Sequence, residues 1–479
     1  MDLNAFNSIE SKEVFKWFNE INKIPRESGH EKEISDFLVK FAKDRNLEVY
    51  QDNAMNVIIK KKGTSGYENK PAVIIQGHVD MVCEKTKDSK HDFRKDPIEM
   101  IVEGDILRAN NTTLGGDDGI AIAMGMALLD SKDLPHPPIE LLATTAEETG
   151  MDGAIAITGE HIDGKTMINI DGEEEGIFLV SCAGGMNTLT DFDIKREKAD
   201  GKALKIEVSG LKGGHSGIEI IKQRANAIKL LGRLLYAVRD DVVISHIEGG
   251  AKHNAIAKHA EALVVSKDIS KVKKTLEEVA KNIKNEYRVE DPDMVINVSE
   301  ASDVKESFTK ELSNNVINFM MLVPDGVAYM SKDIEGLVQT SCNNGVLKEE
   351  DGKLRFTISV RSSVESSSKE IGLKIESAAH MTKASFQMSN GYPAWEYDAN
   401  SKVKDIALNV YKKVTGKDAK IEAIHAGLEC GILKKPLPDV DMISIGPDIK
   451  DVHTPAEHLS ISSVDRMWRF LKELVISIA

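Results

Sequence analysis

The chain has 479 residues, more than a single ordinary core accommodates, so two domains are expected. Hydrophobic residues make up 41% of it and charged residues 29%, a balance that is typical of globular proteins and excludes a disordered or fibrous chain. The formal net charge of −15 argues against a nucleic-acid partner, because binding to phosphates requires clustered Lys and Arg.

The sequence also disfavours secretion and membrane insertion. The first residues include acidic side chains such as Asp2, Glu10 and Glu13 rather than an apolar signal core. No stretch reaches the roughly 20 consecutive apolar residues that a membrane span needs. The four cysteines are scattered without a C-x-x-C pair, which fits reduced thiols. We therefore expect a cytoplasmic protein without a membrane partner.

In chain order, the first segment alternates helices and strands. The spacing of its apolar residues predicts helices over 11–23 and 31–47, and strands follow near 48–60 and 71–77. A glycine-rich turn over 110–119 then opens onto an apolar helix. This alternation predicts a mostly parallel sheet and therefore an α/β domain.

The middle of the chain has a different pattern. Strands with clean polar–apolar alternation are predicted there, with helices over 310–322 and 368–381. We expect an inserted α+β domain over 187–388, which is long enough for two α+β modules. The first domain would then consist of two segments, 1–186 and 389–479.

Acidic and imidazole side chains follow four short apolar runs that are typical of buried strands. They are His78 and Asp80 after 72–77, Glu147 and Glu148 after 139–145, Asp171 after 167–170, and His453 in the loop after 441–446. Because ligands bind at the carboxyl ends of the strands in open α/β sheets, we expect these side chains in one crevice. They would repel one another there unless cations lay between them, so the sequence predicts a metal centre.

The spacing leaves several roles at this centre open. Asp117 and Asp118 follow two glycines and precede a helix, where either could bridge two cations or simply cap the helix. His453 and His458 cannot be distinguished by position. The two adjacent glutamates point apart, so one can bind metal while the other faces the substrate. The whole set suits two zinc-like ions about 3.5–4 Å apart that share an aspartate and a water.

These residues lie in motifs that resemble the co-catalytic zinc peptidases, a family that includes carboxypeptidase G, aminoacylase, the desuccinylase of diaminopimelate synthesis and peptidase T. The motifs are His78-Val79-Asp80, Gly116-Asp117-Asp118-Gly119, Glu147-Glu148-Thr149-Gly150, Asp171 and His453-Thr454-Pro455-Ala456-Glu457. Further segments are similar to the aminoacyl-histidine dipeptidase branch of this family: 24–31, 112–119, 169–173 and 213–217. The resemblance covers nearly the whole chain.

The resemblance implies two ligand sets that share one bridging aspartate. The sets are His78, Asp117 and Asp171 for one zinc, and Asp117, Glu148 and His453 for the other. Glu147 matches the general base of the family, and Asp80 matches the carboxylate that orients the first histidine. The family often has a cis peptide bond after the bridging aspartate, here between Asp117 and Asp118.

Roles in the inserted domain, which would act as a lid, are also implied by the resemblance. His215 resembles the histidine that stabilises the developing oxyanion, with an ordinary loop histidine as the alternative. Asn254 and Arg361 resemble polar residues that hold the substrate. Arg361 suits a terminal carboxylate, because a guanidinium binds carboxylate in bidentate fashion, and a surface salt bridge is its alternative. Outside the inserted domain, the segment 425–431 resembles another part of the family's cleft, which implies that Glu429 would receive the free amine of the substrate.

The resulting prediction is an α/β, mostly parallel-sheet di-zinc peptidase catalytic domain with an inserted α+β lid domain. It would hydrolyse dipeptides, in particular Xaa-His including β-Ala-His, by a zinc-bridged water that Glu147 activates. Two Zn²⁺ per chain are implied, with Co²⁺ or Mn²⁺ as substitutes.

Other functions stay open at this point. A related tripeptide aminopeptidase or N-acyl amino acid deacylase is the alternative among enzymes, and an inactive metal-binding relative is the alternative outside them. The oligomeric state is open as well. A doubled lid could supply His215 from the same chain, whereas a single lid would need the partner subunit of a homodimer.

Overall fold

The computed structural model describes residues 3–389 and 391–479, which form two compact units. The first unit comprises the chain up to Ser181 together with Tyr397–Ala423 and Leu428–Ala479. The second unit comprises Cys182–Glu396 and a short return, Ile424–Gly427. The chain therefore leaves the first unit twice and comes back to it each time.

The helices of the described residues begin and end as follows. In chain order they are α1 (Lys12–Ile21), α2 (Lys32–Lys43), α3 (Gly116–Asp130), α4 (Glu147–Gly150), α5 (Asp152–Ala156), α6 (Ala227–Ala237), α7 (Ile269–Glu286), α8 (Lys310–Leu322), α9 (Glu365–Met381), α10 (Lys402–Thr415), α11 (Glu429–Lys434) and α12 (Ile461–Ile478). Short 3-10 helices span Leu3–Phe6 and Ile220–Lys222.

The strands are numbered in the same way. They are β1 (Glu48–Gln51), β2 (Val57–Lys61), β3 (Val73–His78), β4 (Met100–Glu103), β5 (Ile106–Ala109), β6 (Ile139–Thr144), β7 (Thr166–Asn169), β8 (Ile177–Cys182), β9 (Gly184–Asp193), β10 (Arg196–Lys198), β11 (Lys202–Ser209), β12 (Gly214–His215), β13 (Val243–Gly249), β14 (Ala255–Ile256), β15 (Ala260–Ser266), β16 (Val295–Glu300), β17 (Glu306–Phe308), β18 (Gly326–Met330), β19 (Val338–Glu350), β20 (Lys353–Ser362), β21 (Ser385–Met388), β22 (Lys420–Ile424), β23 (Asp441–Ser444), β24 (Ile449–Lys450) and β25 (His458–Ser460).

The main sheet of the first unit has the strand order β1-β2-β6-β3-β7-β23-β8-β22. Its central strands β6, β3, β7 and β23 are parallel neighbours, whereas β1, β2 and β8 pair antiparallel to their neighbours. The sheet is therefore mixed, with the predicted parallel arrangement at its centre. Strands β3 and β6 are buried along their whole length, which explains why their sequences are continuous apolar runs rather than alternating ones.

Helix α3 packs against strand β3 and helix α1 and is buried along nearly its whole length. Its sequence explains this position, because the helix is apolar on every side and exposes no charged face. Asp117 and Asp118, at its start, depart from helical dihedral angles, and the peptide bond between them is cis, as predicted.

The sheet of the second unit contains the element order β-α-β-β-α-β twice. The inner module consists of β11, α6, β13, β15, α7 and β16, and the outer module of β9, α8, β19, β20, α9 and β21. The inner module is inserted into the outer one between β9 and α8. Both modules have the same strand order, and they join where β13 pairs with β19. One apolar core, from Leu204 through Phe319 to Ile375, extends across both modules.

Within the residues that the structure describes, we find no helix with the length and apolar character required to cross a membrane.

Candidate metal centre

The carboxyl ends of the central parallel strands carry the predicted residues. His78 is the last residue of β3, and Asp171 follows β7 by two residues. Glu147 begins the short helix α4, three residues after β6 ends. Because β6, β3 and β7 are parallel neighbours, their carboxyl ends meet at one edge of the sheet, as predicted.

Asp117 lies between two histidines from opposite ends of the chain. The Nε2 atom of His78 is 3.0 Å from Asp117 Oδ1, and the Nε2 atom of His453 is 3.1 Å from Asp117 Oδ2. His453 Nε2 is also 3.1 Å from Glu148 Oε2, and His78 Nε2 is 3.6 Å from Asp171 Oδ1. Each carboxylate oxygen of Asp117 thus faces a different histidine.

In the first unit, three groups of side chains have potential ligand atoms that all lie within 4.8 Å of one another. The groups are Asp117, Glu148 and His453; His78, Asp118 and Asp171; and His78, Glu147 and Glu148. The first group coincides with one ligand set that the family resemblance implies. The second group contains Asp118, whereas the implied ligand set contains Asp117. Both aspartates, the two candidates that the sequence spacing could not separate, therefore lie close to His78.

His458, the other histidine that position alone could not exclude, lies outside these groups. Its Nδ1 atom is 2.9 Å from the carbonyl oxygen of Ala456 and 3.8 Å from Asp451 Oδ2. The geometry therefore distinguishes it from His453, whose ring contacts two carboxylates of the cluster.

Asp80 connects the first histidine to the pair of glutamates. Its Oδ1 atom lies 3.4 Å from His78 Nδ1 and accepts the backbone N–H of Glu147 at 3.1 Å. Its Oδ2 atom accepts the Ser28 hydroxyl at 2.7 Å and the backbone N–H of Glu148 at 3.3 Å. A carboxylate placed in this way can fix the tautomer of a histidine ligand.

The carboxyl groups of the cluster have strongly perturbed pKa values. Burial raises the pKa of Glu147 to about 9, with neighbouring acids adding to the rise. Burial likewise raises the pKa of Asp171 to about 6 and that of Glu429 to about 7. Burial also opposes ionisation of Asp117, but hydrogen bonds from His453 and His78 outweigh it and lower the pKa of that carboxyl. Protons or cations must therefore compensate the charge here.

Two carboxylate oxygens of the cluster, Asp118 Oδ1 and Glu148 Oε1, are buried without a hydrogen-bond partner among the described residues. An unpaired buried carboxylate oxygen is costly unless it is protonated or coordinates a cation. The donor set combines imidazole nitrogens with carboxylate oxygens, which suits divalent ions such as Zn²⁺. The residues present therefore fit a metal centre.

Two residues that received no individual role from the sequence support this centre. The Glu457 carboxylate is buried and accepts the backbone N–H groups of Leu114 at 2.7 Å and Gly116 at 2.7 Å, just before Asp117. The buried Arg26 guanidinium donates to the carbonyl oxygens of Val79 and Gly115. No local pattern marks these roles, because the backbone groups that the two side chains contact here are remote from them in the sequence.

Glu429, predicted to receive the substrate amine, is fully buried in the first unit. Its Oε2 atom accepts hydrogen bonds from Gln76 Nε2 at 2.6 Å and Thr144 Oγ1 at 2.7 Å. Its Oε1 atom is buried without a hydrogen-bond partner among the residues described. The carboxyl group also contributes to the raised pKa of Glu147, so it lies near the cluster.

The remaining predicted residues lie in the second unit. His215 ends β12, and its Nδ1 atom accepts the backbone N–H groups of Gly217 and Ile218, each at 3.3 Å. This leaves Nε2 as the donor nitrogen of a neutral ring. Burial, reinforced by Arg361, lowers the pKa of His215 and favours that neutral form. The carbonyl oxygen of Asn254 accepts the backbone N–H of Ser216 at 2.9 Å, next to His215.

Comparisons with known proteins relate this chain to a family of peptidases. The sequence profile of peptidase family M20/M25/M40 matches residues 74–477. The cytosol non-specific dipeptidase of Escherichia coli is 35% identical over 479 residues, which cover 99% of each protein. The crystal structure of aminoacylhistidine dipeptidase from Vibrio alginolyticus superposes with a TM-score of 0.93 at 34% identity, covering 98% of this chain and 97% of that one. Aminopeptidase PepT from Bacillus cereus shares the fold, with a TM-score of 0.58 at 14% identity and coverage of 98% and 99%.

Proposed function

The chain belongs to peptidase family M20/M25/M40, and from that membership we propose that it is a two-metal dipeptidase whose substrates include Xaa-His dipeptides such as β-Ala-His. It is an enzyme of the metallo-dipeptidase type and hydrolyses dipeptides in a metal-dependent reaction. Preference for a histidine at the second position is supported by the similarity to the Vibrio enzyme. The name of the Escherichia coli relative supports a cytoplasmic location.

Two Zn²⁺ ions would be held by the two overlapping ligand sets. His78, Asp117 and Asp171 would form one set, and Asp117, Glu148 and His453 the other. The mixed nitrogen and oxygen donors favour Zn²⁺ and leave Co²⁺ and Mn²⁺ as substitutes. Asp80 would hold the His78 ring in place through the contact at 3.4 Å. Metal analysis of purified enzyme by mass spectrometry tests both the identity and the count.

The metal pair would supply charge stabilisation at the scissile carbonyl and lower the pKa of the attacking water. Glu147 would accept the proton of that water and later deliver it to the leaving amine. Its position supports this role, because it lies three residues after the end of β6, is partly buried and does not belong to either proposed ligand set. A burial-raised pKa suits a group that must hold a proton between these two transfers.

Four further residues would bind the substrate. His215 would donate its Nε2 hydrogen to the developing oxyanion, since its Nδ1 atom already accepts two backbone N–H groups. Arg361 would bind the terminal carboxylate and Asn254 a polar group of the peptide backbone. Glu429 would receive the free amine, which requires its buried carboxylate to become accessible when substrate enters.

The observation that carries the proposal is the position of Asp117, with one carboxylate oxygen at 3.0 Å from His78 and the other at 3.1 Å from His453. An aspartate placed in this way can serve two cations at once. Hydrolysis of β-Ala-His by the metal-loaded enzyme is the direct test. Failure to cleave any dipeptide with two metals bound would overturn the proposal.

Side-by-side assays separate the related activities. A tripeptide aminopeptidase would prefer a tripeptide, and an N-acyl amino acid deacylase would prefer an N-acetyl amino acid. A dipeptidase requires the free amine and the free carboxylate at the spacing of two residues. We therefore expect the highest kcat/KM for the dipeptide, and no turnover of any of the three would indicate an inactive metal-binding relative.

A further inference from the structure

Arg361 lies near the end of β20 with an unusual set of neighbours. Its Nη1 atom donates to the Tyr392 hydroxyl at 2.6 Å, and its Nε atom is buried without a hydrogen-bond partner among the described residues. Most other arginines of the same unit are paired with acids, as Arg355 is with Asp191 at 2.7 Å. Arg361 instead has a neutral phenol as its hydrogen-bond partner. A guanidinium arranged in this way keeps its full charge for an incoming anion.

Tyr392 is fixed from several directions at once. Its backbone N–H donates to the carbonyl oxygen of Gly185 at 2.9 Å and its carbonyl oxygen accepts the Gly185 N–H at 3.0 Å. Gly185 is also the cross-strand partner of Arg361 between β9 and β20. The same glycine thus aligns the backbones of the tyrosine and the arginine.

The ring of Tyr392 is packed against two glycines. A Cβ atom at Gly185 would lie 2.7 Å from the ring, and one at Gly427 would lie 2.8 Å from it. Both distances are far shorter than carbon contacts allow, so any side chain at either position would displace the ring. Gly427 belongs to the short return Ile424–Gly427, which therefore takes part in fixing the ring.

A fixed phenol matters because arginine is flexible. The long side chain loses about 2 kcal/mol of rotamer entropy when it is held in one conformation. A partner that holds the guanidinium before substrate arrives removes part of that cost from binding. Burial raises the pKa of the Tyr392 phenol, against the lowering effect of Arg361, so the phenol stays protonated at neutral pH and does not cancel the arginine charge.

We propose that Tyr392 is the positioning residue of Arg361 and holds its guanidinium ready for the terminal carboxylate of the substrate. This inference rests on the proposed function, since it needs a dipeptide with a free carboxylate. It assigns Tyr392 no part in the chemical step. Its effect is therefore expected in substrate binding, and only for substrates that carry the carboxylate.

The first test compares Tyr392→Phe with the wild type, both fully metal-loaded. Phenylalanine keeps the ring between the glycines and removes only the hydroxyl. We expect KM for the dipeptide to rise about tenfold, the usual effect of losing a hydrogen bond to a charged group, with kcat changed by less than about twofold. The ratio of kcat/KM between the dipeptide and its C-terminal amide should fall by a similar factor.

The matched control is Tyr411→Phe in the first unit, where the hydroxyl also contacts a charged group, Glu175, at 3.4 Å. It should leave KM and the preference over the amide unchanged. If the wild type cleaves dipeptides but Tyr392→Phe lowers kcat instead, or weakens dipeptide and amide equally, the inference is wrong while the proposed function stands. Absence of dipeptide cleavage by the wild type would remove both.

A double-mutant cycle and a packing variant give independent results. Adding Tyr392→Phe to Arg361→Ala should cause no further rise in KM, because the tyrosine acts through the arginine. Additive effects of the two substitutions on KM would contradict that.

The packing variant Gly427→Ala keeps the side chains of Tyr392 and Arg361 but pushes against the tyrosine ring. We expect it to raise KM for the dipeptide and not for the amide, and an unchanged KM would show that the ring position does not control the arginine.

Discussion

Glu147 and Glu148 are adjacent in sequence and differ in surroundings. The Glu148 carboxylate contacts His453, whereas Glu147 has a pKa raised to about 9 by burial. Asp80 accepts the backbone N–H groups of both residues, which fixes the backbone of the turn that carries the two side chains. A single residue step therefore separates a proposed metal ligand from a proposed proton carrier.

Replacing Glu147 by glutamine should abolish most of the activity without loss of metal. Glutamine has a similar shape but cannot accept the proton, and the loss of a general base typically lowers kcat about 10²–10⁴-fold. Steady-state kinetics together with metal analysis check this. Near-normal kcat with both metals bound would exclude Glu147 from the reaction. Glu160→Gln, at an exposed position, is the control.

The variant His215→Ala tests the second proposed transition-state contact. Its ring has Nδ1 occupied by two backbone N–H groups, so Nε2 is the donor available to an oxyanion. Loss of one oxyanion donor costs about 10²–10³ in kcat. Metal content should be unchanged, since no metal-binding role is proposed for His215. An unchanged kcat would return His215 to the status of an ordinary loop histidine.

The start of helix α3 depends on one carboxylate from a loop that is distant in the sequence. Glu457 accepts four backbone N–H groups there, from Leu114, Gly115, Gly116 and Asp117. These are donors that a helix start leaves without partners inside the helix. The carboxylate thus fixes the backbone that presents Asp117 to the two histidines.

We expect Glu457→Gln to destabilise the protein by about 1–3 kcal/mol, because an amide offers one acceptor oxygen where the carboxylate offered two. The displaced Asp117 should also weaken metal binding. Urea unfolding and metal titration measure the two effects. Glu473→Gln, which removes an exposed ion pair with Lys413, should change neither. Equal effects of both variants would argue against a specific role of Glu457.

Most helices could be predicted from the sequence, because apolar periodicity is a local signal. The predicted helix 310–322 coincides with α8. The predicted helix 31–47 was too long, since α2 ends at Lys43. Asn46 there adopts a positive φ of 54°, and the Leu47 N–H bonds back to the Ala42 carbonyl at 3.0 Å. This helix-ending motif places an apolar residue where the helical pattern would also expect one.

The metal cluster was predictable for a related reason. Four of its members follow buried strands: His78, Glu147, Glu148 and Asp171. The rule that parallel strand ends meet brings these four together, whereas the choice of Asp117 came from the family resemblance. The roles of Arg26 and Glu457 were not predicted, because Val79 lies 53 residues from Arg26 and Gly115 lies 342 residues from Glu457. Tyr392 escaped for the same reason, since its relation to Arg361 depends on the register between β9 and β20.

Metal binding should control how the stability of the folded protein depends on pH. Burial raises the folded-state pKa of Asp171 to about 6, of Glu429 to about 7 and of Glu147 to about 9. A carboxyl with a raised folded pKa takes up a proton on folding. Its stabilising contribution is complete below the unfolded pKa and is lost as pH rises through the folded pKa.

The metal-free protein should therefore lose stability as pH increases through the range of about 6 to 9. Bound cations compensate the same charges, so the loaded protein should show a flatter profile and a higher Tm throughout. Thermal unfolding across this range, with chelator or with Zn²⁺, measures both. Glu429→Gln should reduce the slope of the chelated protein. Parallel profiles with and without metal would contradict the expectation.

Part of the molecular organisation lies beyond what a single sequence can indicate. The predicted 187–388 segment has the composition of an α+β domain, but the sequence carries no sign that one module interrupts the other. Nor does it indicate that Ile424–Gly427 joins the second unit. Both features arise from strand pairings between segments that are far apart in the chain, which local periodicity does not encode.

Strands β10 and β17 pair antiparallel over three residues, Arg196 with Phe308 through Lys198 with Glu306. The chain consequently departs for the inner module and comes back at neighbouring points. An additional module can be accommodated at such a hairpin without disturbing the surrounding strand order. A short turn from Lys198 to Glu306 would close the gap that 199–305 fills. The second unit is thus a nested arrangement, in which one module lies within a loop of another module that has the same element order.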